Sequence, residues 1–343
     1  MDKRRAGMGL IALSLFIGGG VAARAQDHDL LIVRAAGGEE KYSRMVGDLV
    51  DLTSEQAVIV LKGGVREQKV PLSRIVELTP RQSADEANGR RLLAAGDFDA
   101  AIDSLQRAAE KESRRWRKEE LAALIAQAEL GRGEIDAAGA RMAPVVQADP
   151  ESRLLGRLPL AWKEDFKTPN AANLAAWAGD ASPAVKLLAA SWMLSGEKRR
   201  EAQAQLEKLA SGPSRRIAAL AEAQLWRTRM STAKPLDAQR WLERVQSFPQ
   251  DLRSGPYFLA GVAAARTDQP QIAAEALMRC AILHPMQTTL AAEAEFLAAG
   301  QLEKAGAVAD LTALLERFTS QAEGYPRRGE ALEMLTRLNG TAK

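Results

Sequence analysis

The sequence predicts a mainly α-helical protein, in which helical hairpins stack into a repeat superhelix behind a small N-terminal β-barrel. The 343-residue chain contains 64 alanines and only 5% aromatic residues, and alanine is the strongest helix former. From Ser83 onward, apolar residues recur at three- and four-residue spacing, which is typical of amphipathic helices. Residues 29–79 instead contain short β-branched runs separated by glycines, which indicates strands.

Residues 1–25 have the order of a secretory signal peptide. Basic residues Lys3–Arg5 precede the apolar run Met8–Val21, and Ala23–Ala25 supplies the small-x-small cleavage pattern. The apolar run is shorter than the roughly 20 residues that a transmembrane helix needs. We therefore expect cleavage after Ala25 and a periplasmic or secreted chain without a transmembrane segment. A weak N-terminal membrane anchor is the alternative.

Cleavage of the signal peptide would change the net charge of the chain. Residues 1–25 hold four basic residues and one acidic residue, so the 47 basic and 44 acidic residues of the whole chain become 43 of each after cleavage. A neutral mature chain gives no reason to expect a nucleic-acid partner. One cysteine, Cys280, and two histidines exclude a disulfide framework and a histidine-rich metal centre. We expect neither a metal nor a cofactor, and we expect Cys280 to be a buried small residue.

Residues 26–80 are predicted to form the small barrel, because closing a short sheet removes its exposed edges. The predicted strands are Leu30–Val33, Met45–Leu52, Ala57–Leu61, Glu67–Pro71 and Ile75–Leu78, with a tight turn at Gly63–Gly64.

This order of elements resembles the Sm-like and SH3-like small barrels. The resemblance implies a sharp bend at Gly47 and a short 3₁₀ turn before the last strand. Some such barrels bind RNA and others bind proline-rich peptides. Tyr42 is the only aromatic residue of this module, so the stacking platform for RNA bases is missing. We expect the module to cap or dock the rest of the chain.

Residues 81–343 contain an internal repeat, and its pattern resembles the tetratricopeptide repeat, a 34-residue helical hairpin. Three segments match: 82–115 through Gly89, Gly96, Phe98, Ala101, Leu105 and Ala108; 119–152 through Gly133, Ala138 and Pro150; and 254–287 through Tyr257, Gly261, Ala273, Leu277, Cys280 and Pro285. Residues 153–253 are degenerate, and a HEAT-like or irregular hairpin array remains open there. A final polar-faced helix over about 327–338 is predicted to cap the array.

The resemblance implies a concave groove lined by the first helix of each hairpin. Transferred to this chain, the groove positions are Glu86, Arg90, Leu93, Gln127, Leu130, Phe258, Val262 and Arg266. Their mixed character suits an extended peptide or a helix rather than a single charged tail.

The run Arg114, Arg115, Trp116, Arg117 and Lys118 is the densest basic segment of the mature chain. One interpretation is a site for an anionic polymer. The other is a turn between repeats, with Trp116 packed and the charges in water.

No catalytic or phosphate-binding motif stands out, and the carboxylates of Glu164 and Asp165 are adjacent and do not face each other across a cleft. The sequence thus favours an exported, non-catalytic scaffold that holds a partner protein or peptide in its groove, within the cell envelope. The alternative is binding of an envelope polymer, a glycan or another anionic polymer. An enzyme is the third class, and self-assembly and the oligomeric state remain open.

Overall fold

A computed structural model describes residues 28–35, 41–163, 167–321 and 323–341. The predicted signal peptide and the Glu164–Asp165 pair lie outside these ranges. Within them the chain is mainly helical, with a small antiparallel sheet at its N-terminal end.

The sheet contains five strands in the spatial order β4-β3-β2-β1-β5. The strands are β1 (Asp29–Arg34), β2 (Tyr42–Leu52), β3 (Gln56–Leu61), β4 (Glu67–Pro71) and β5 (Ile75–Thr79), and a 3₁₀ turn at Leu72–Arg74 precedes β5 as expected. Four antiparallel pairings join neighbouring strands, and the register shifts inside β2 between Leu49 and Asp51. Gly47 lies close to β3, because a Cβ there would stand 2.1 Å from the Val60 carbonyl oxygen.

The prediction of a closed barrel is wrong. β4 and β5 form the two edges of the sheet and are not paired with each other. A helix covers the buried side chains of the sheet: the indole of Trp116 packs among them, including Leu31, Leu49 and Ile59. The sheet is therefore stabilised by docking onto the helices.

Fourteen helices follow within the described residues. They are α1 (Ala84–Ala95), α2 (Phe98–Lys111), α3 (Arg115–Gly131), α4 (Ile135–Ala148), α5 (Ala171–Gly179), α6 (Pro183–Met193), α7 (Arg199–Ala210), α8 (Arg215–Trp226), α9 (Pro235–Val245), α10 (Ser254–Arg266), α11 (Pro270–Leu283), α12 (Thr288–Lys304), α13 (Val308–Gln321) and α14 (Arg328–Thr341). The predicted hairpins correspond to α1–α2, α3–α4 and α10–α11.

In the turn of the first hairpin, a left-handed glycine ends one helix and an aspartate caps the next. Gly96 ends α1 in the left-handed conformation at φ +83°, and the Asp97 carboxylate accepts a hydrogen bond from the backbone N–H of Ala100 at the start of α2. Gly133 occupies the same conformation between α3 and α4. In the α10–α11 turn, Asp268 adopts φ 56° instead, which is uncommon for a residue with a side chain.

Small residues bring the two helices of a hairpin together at equivalent places. A Cβ on Gly89 would stand 2.6 Å from Cγ of Leu105, and a Cβ on Gly261 would stand 2.7 Å from Cγ of Leu277. Each glycine precedes its leucine by the same spacing, so the two hairpins repeat one packing contact.

Residues 152–163, which are part of the connection between α4 and α5, are here called the inner segment. It begins with a 3₁₀ turn at Arg153–Arg157 and continues without regular structure. Leu154, Leu155, Leu158, Leu160 and Ala161 are buried in the core of the first half of the array. The backbone N–H of Ala161 donates to Ser191 Oγ at 2.7 Å, and Trp192 Nε1 donates to the Pro159 carbonyl at 2.8 Å.

The inner segment also reaches the second half of the array. Trp162 packs against the cores of both halves, and its indole lies where a side chain on Gly255 would stand. The carbonyl of Gly156 accepts a hydrogen bond from Gln287. The inner segment thus passes between the two halves and fills the space that they enclose.

The two ends of the helical array contact each other. The backbone N–H of Gly324 donates to the carbonyl of Ala95 at 2.7 Å, and the ring of Tyr325 lies edge-on to Phe98 at 5.8 Å. The α11–α12 connection also meets α1, where Arg90 approaches Met286. The array is therefore curled upon itself, with its first hairpin against the connection between its last helices.

Candidate functional site

The basic run Arg114–Lys118 does not form one exposed patch. Trp116 is 1% exposed and Arg117 is fully buried, whereas Arg115 and Lys118 are in water. Trp116 Nε1 donates to the Leu49 carbonyl at 3.2 Å. An incoming polymer cannot reach the aromatic ring or the central cation of this run. The structure buries Trp116, as the second interpretation expected, but Arg115–Lys118 begin helix α3 rather than forming a turn between repeats, and only part of the charge is solvated.

Arg114 links the helices to the sheet through Asp29. Its Nη1 lies 2.9 Å from a carboxylate oxygen of Asp29, which is completely buried and also accepts from the backbone N–H groups of Leu49 and Arg81 at 2.7 Å. Its Nη2 lies 2.9 Å from Glu112. Burial opposes ionisation of Glu112, but the hydrogen bonds and charge of Arg114 outweigh it and lower the pKa of Glu112 to about 2. These contacts of Arg114 hold the sheet against the helices.

Arg117 lies at the centre of a buried ion network between α1 and α3. Its guanidinium pairs with Glu86 on one side and with Glu120 on the other, and Glu86 and Glu120 also pair with Arg90 and Arg153. Burial disfavours the charge of Arg117, but the two carboxylates prevail and raise its pKa. Burial likewise favours neutral Glu120, yet Arg153 and Arg117 lower its pKa. Arg117 and Glu120 therefore stay charged at neutral pH.

The predicted groove residues of the first hairpin are occupied by contacts within the chain. Glu86 is 2% exposed and belongs to the Arg117 network, and Leu93 is 1% exposed and packs in the core of the first two hairpins. Arg90 is partly exposed, with its Nε 2.9 Å from Glu86. In this hairpin the carboxylate and the leucine cannot contact a peptide.

The groove residues of the second hairpin face the inner segment. Gln127 and Leu130 are buried and lie around a narrow space with Leu158, Leu160 and Trp162. Gln127 Nε2 also donates a hydrogen bond of 3.3 Å to Gln287, in the connection between α11 and α12. The chain itself thus fills the groove at this point, which the resemblance to an open superhelix did not predict.

The groove residues of the α10–α11 hairpin line an open cleft of about 170 Å³, here called the α10 cleft. Phe258 is buried at its floor, Val262 is partly exposed and Arg266 is exposed. Its remaining lining residues are Trp162, Lys163, Arg227, Met230, Leu259, Glu293, Leu297 and Arg327. The eight predicted groove residues are therefore divided among the ion network, the core of the first two hairpins, the inner segment and this cleft.

The α10 cleft is rich in positive charge. Among the lining residues that the structure describes, four are basic and one, Glu293, is acidic. Glu293 lies 3.2 Å from Lys163 and 3.5 Å from Arg327, so one carboxylate is shared between two cations. An apolar floor beside several basic side chains is complementary to an apolar group that has a carboxylate beside it.

The described residues offer no cluster of three or more histidine, cysteine, aspartate or glutamate side chains that could hold a metal ion. Cys280 is completely buried and lies 3.5 Å from Ser254 Oγ, and burial raises the pKa of its thiol to about 12. A protonated, inaccessible thiol is not a nucleophile at neutral pH. Across the part of the chain with assigned structure, no helix has the length and apolar character that crossing a membrane requires.

Sequence reasoning missed the inner segment and the side chains that it carries. The only available signal was the dense apolar run Leu154–Trp162, which has no helical period. No protein-family model, curated protein or solved structure matches this chain.

Proposed function

We propose that this chain is an exported, non-catalytic scaffold of tetratricopeptide-like hairpins that binds a partner protein in the cell envelope. The repeated contact of Gly89 with Leu105 and of Gly261 with Leu277 supports the repeat assignment, as does the left-handed glycine in two of the hairpin turns. The signal-peptide pattern of residues 1–25 supports export.

The α10 cleft is the observation that carries the proposal. It is the part of the predicted groove that the inner segment leaves open, and three groove residues line it. Its volume suits one or two side chains rather than a long peptide, because pockets for drug-sized ligands measure about 300–1,000 Å³. The proposed partner inserts an apolar side chain flanked by acidic residues. Binding of an envelope polymer through residues 114–118 is not proposed, because Trp116 and Arg117 are buried.

The test is affinity capture from envelope extract, with the mature chain 26–343 as bait. Arg266→Glu reverses one exposed charge at the cleft, and Arg240→Glu makes the same change at an exposed position of α9. We expect a stoichiometric protein partner that Arg240→Glu retains and Arg266→Glu loses, with equal thermal stability of both variants. Capture of the same partner by both variants would refute the role of the cleft. Recovery of glycan without protein would refute the scaffold proposal.

A further inference from the structure

Basic residues are concentrated in one part of the helical array. Residues 183–253, from the start of α6 to the residue before α10, contain 13 basic and 7 acidic residues. The chain expected after cleavage is neutral as a whole, so its other parts carry a matching excess of acidic residues. A local excess of one sign attracts surfaces of the opposite sign, whatever the net charge of the molecule.

Two neighbouring turns gather part of this excess at one end of their hairpins. Arg199 Nη2 donates to the Thr228 carbonyl at 3.3 Å, which places the start of α7 beside the 3₁₀ turn Arg227–Thr232. The guanidinium of Arg229 lies 5.7 Å from the centre of the Trp241 ring, so this 3₁₀ turn also lies beside α9. Five exposed basic residues on the two turns and at the start of α9 are here called the basic turns: Lys198, Arg199, Arg200, Arg229 and Lys234.

The charges of the basic turns are not neutralised by contacts within the described chain. No carboxylate of the residues that the structure describes forms an ion pair with any of these five side chains, whereas Arg244, farther along α9, pairs with Glu222 at 2.8 Å. Basic residues also outnumber the acidic residues that are nearest to them in sequence, which are Glu197, Glu201 and Asp237. This end of the array therefore presents unpaired positive charge to its surroundings.

An aliphatic side chain lies beside these charges. Leu236, in the first turn of α9, is 53% exposed and follows Lys234 by two residues. An exposed leucine among basic residues is typical of surfaces that lie on membranes, where the aliphatic group enters the headgroup region and the cations remain near the lipid phosphates. An acidic protein would complement the charges but not the leucine. Leu236 therefore favours a lipid surface over an acidic protein.

We propose that the basic turns and Leu236 dock on the surface of an anionic lipid bilayer. Negatively charged headgroups attract the lysine and arginine side chains, and the leucine adds apolar contact. So few groups provide reversible, peripheral binding. The inference goes beyond the proposed scaffold and does not depend on it, because none of these six residues lines the α10 cleft.

The test measures how the mature chain 26–343 partitions into sedimented vesicles of phosphatidylcholine, with and without phosphatidylglycerol. We expect binding only to the vesicles that contain phosphatidylglycerol. This binding should weaken as sodium chloride is added, because salt screens exposed charges. Equal binding to both kinds of vesicle, or binding to neither, would overturn the proposal.

Two double charge reversals separate the basic turns from the net charge of the chain. Arg200→Glu with Lys234→Glu changes the basic turns, and Lys62→Glu with Arg66→Glu makes the same change at exposed residues between β3 and β4. The first variant should weaken partitioning at least about tenfold, and the second should leave it within about twofold. An equal loss in both variants would show that only net charge matters and would overturn the proposal.

A further pair of variants tests the apolar contact at constant charge. Leu236→Ser should weaken partitioning about threefold or more, whereas Val308→Ser, at a residue of α13 that is 58% exposed, should not. Because every substituted residue is exposed, the thermal unfolding midpoints should equal that of the parent chain. Unchanged partitioning of Leu236→Ser would overturn the proposal. So would tighter binding to poly-L-glutamate than to the vesicles, which would assign the surface to an acidic protein.

Discussion

Replacement of Trp116 by alanine tests whether the sheet is held by the helices. The indole is 1% exposed, donates to the Leu49 carbonyl, and lies beneath the guanidinium groups of Arg114 and Arg117 at 5.2 and 5.3 Å. Truncating a buried tryptophan costs about 3–5 kcal/mol. The hydrogen bond and the two cation–π contacts add about 1 kcal/mol of net stability, because these terms are not additive.

We therefore expect Trp116→Ala to lower the free energy of unfolding by about 4–6 kcal/mol, a large part of the 5–15 kcal/mol typical of a whole protein. Urea titration followed by far-ultraviolet circular dichroism measures this loss. Trp116→Phe, which preserves most of the volume, should cost roughly 1–2 kcal/mol. Lys118→Ala, on the exposed face of the same helix, is the matched control and should change stability by less than about 0.5 kcal/mol.

A loss below about 1 kcal/mol in Trp116→Ala would refute the reasoning, since it would place the indole outside the shared core of sheet and helices. Normal stability together with loss of binding to an anionic polymer would instead restore the interpretation of residues 114–118 as a binding patch.

Four further changes probe other parts of the molecule. Arg117→Met removes the cation shared by two buried carboxylates and leaves each with one partner, Arg90 or Arg153, so it should cost up to about 3 kcal/mol in urea unfolding; a neutral effect would mean that water reaches the network. Gly261→Ala should cost about 1–3 kcal/mol, whereas Gly300→Ala, with open space around its Cβ, should gain up to about 1 kcal/mol; equal effects would contradict the hairpin packing. The folded state lowers the pKa of Glu112 from its ordinary value of 4.5 to about 2. Ionised Glu112 therefore stabilises the folded state above pH 4.5, and this stabilisation is lost as the pH falls toward 2. At neutral pH the parent chain should be more stable to unfolding than Glu112→Gln by about 1 kcal/mol, after allowance for screening by water. This difference should disappear between pH 4.5 and pH 2, and a difference that persists at pH 2 would contradict the prediction. Cys280 should react with a thiol reagent such as DTNB only in denaturant, and rapid reaction of the native chain would show that α10 and α11 open.

Local patterns were sufficient to predict the strands and the hairpins. The apolar β-branched run Leu30–Val33 and the glycine spacing of Gly89 and Gly96 are local features of the sequence. The turn at Gly96 was predictable for the same reason, because its φ of +83° is a property of one residue and its neighbours.

The candidate site depends on contacts between distant residues, and there the predictions were weaker. Arg117 has the same local sequence whether it lies on the surface or in a buried network, and its partner Glu86 is 31 residues away. The inner segment has no period from which its burial could be inferred. The docking of the sheet onto α3 depends on the contact of Trp116 with Leu49, 67 residues away. Composition does not encode such pairings.

The contact of Gly96 with Gly324 also limits how this architecture can vary. The backbones of Gly96 and Gly324 lie so close that neither residue has space for a Cβ. This contact forms only if the two ends of the array are held at fixed positions relative to each other. In an open solenoid each added unit only lengthens the rod. Here an inserted or deleted hairpin would change the accumulated curvature and separate the two glycines, and the inner segment would no longer span the space between the halves. The contact of the two ends thereby ties the number of helices to the curvature that they accumulate.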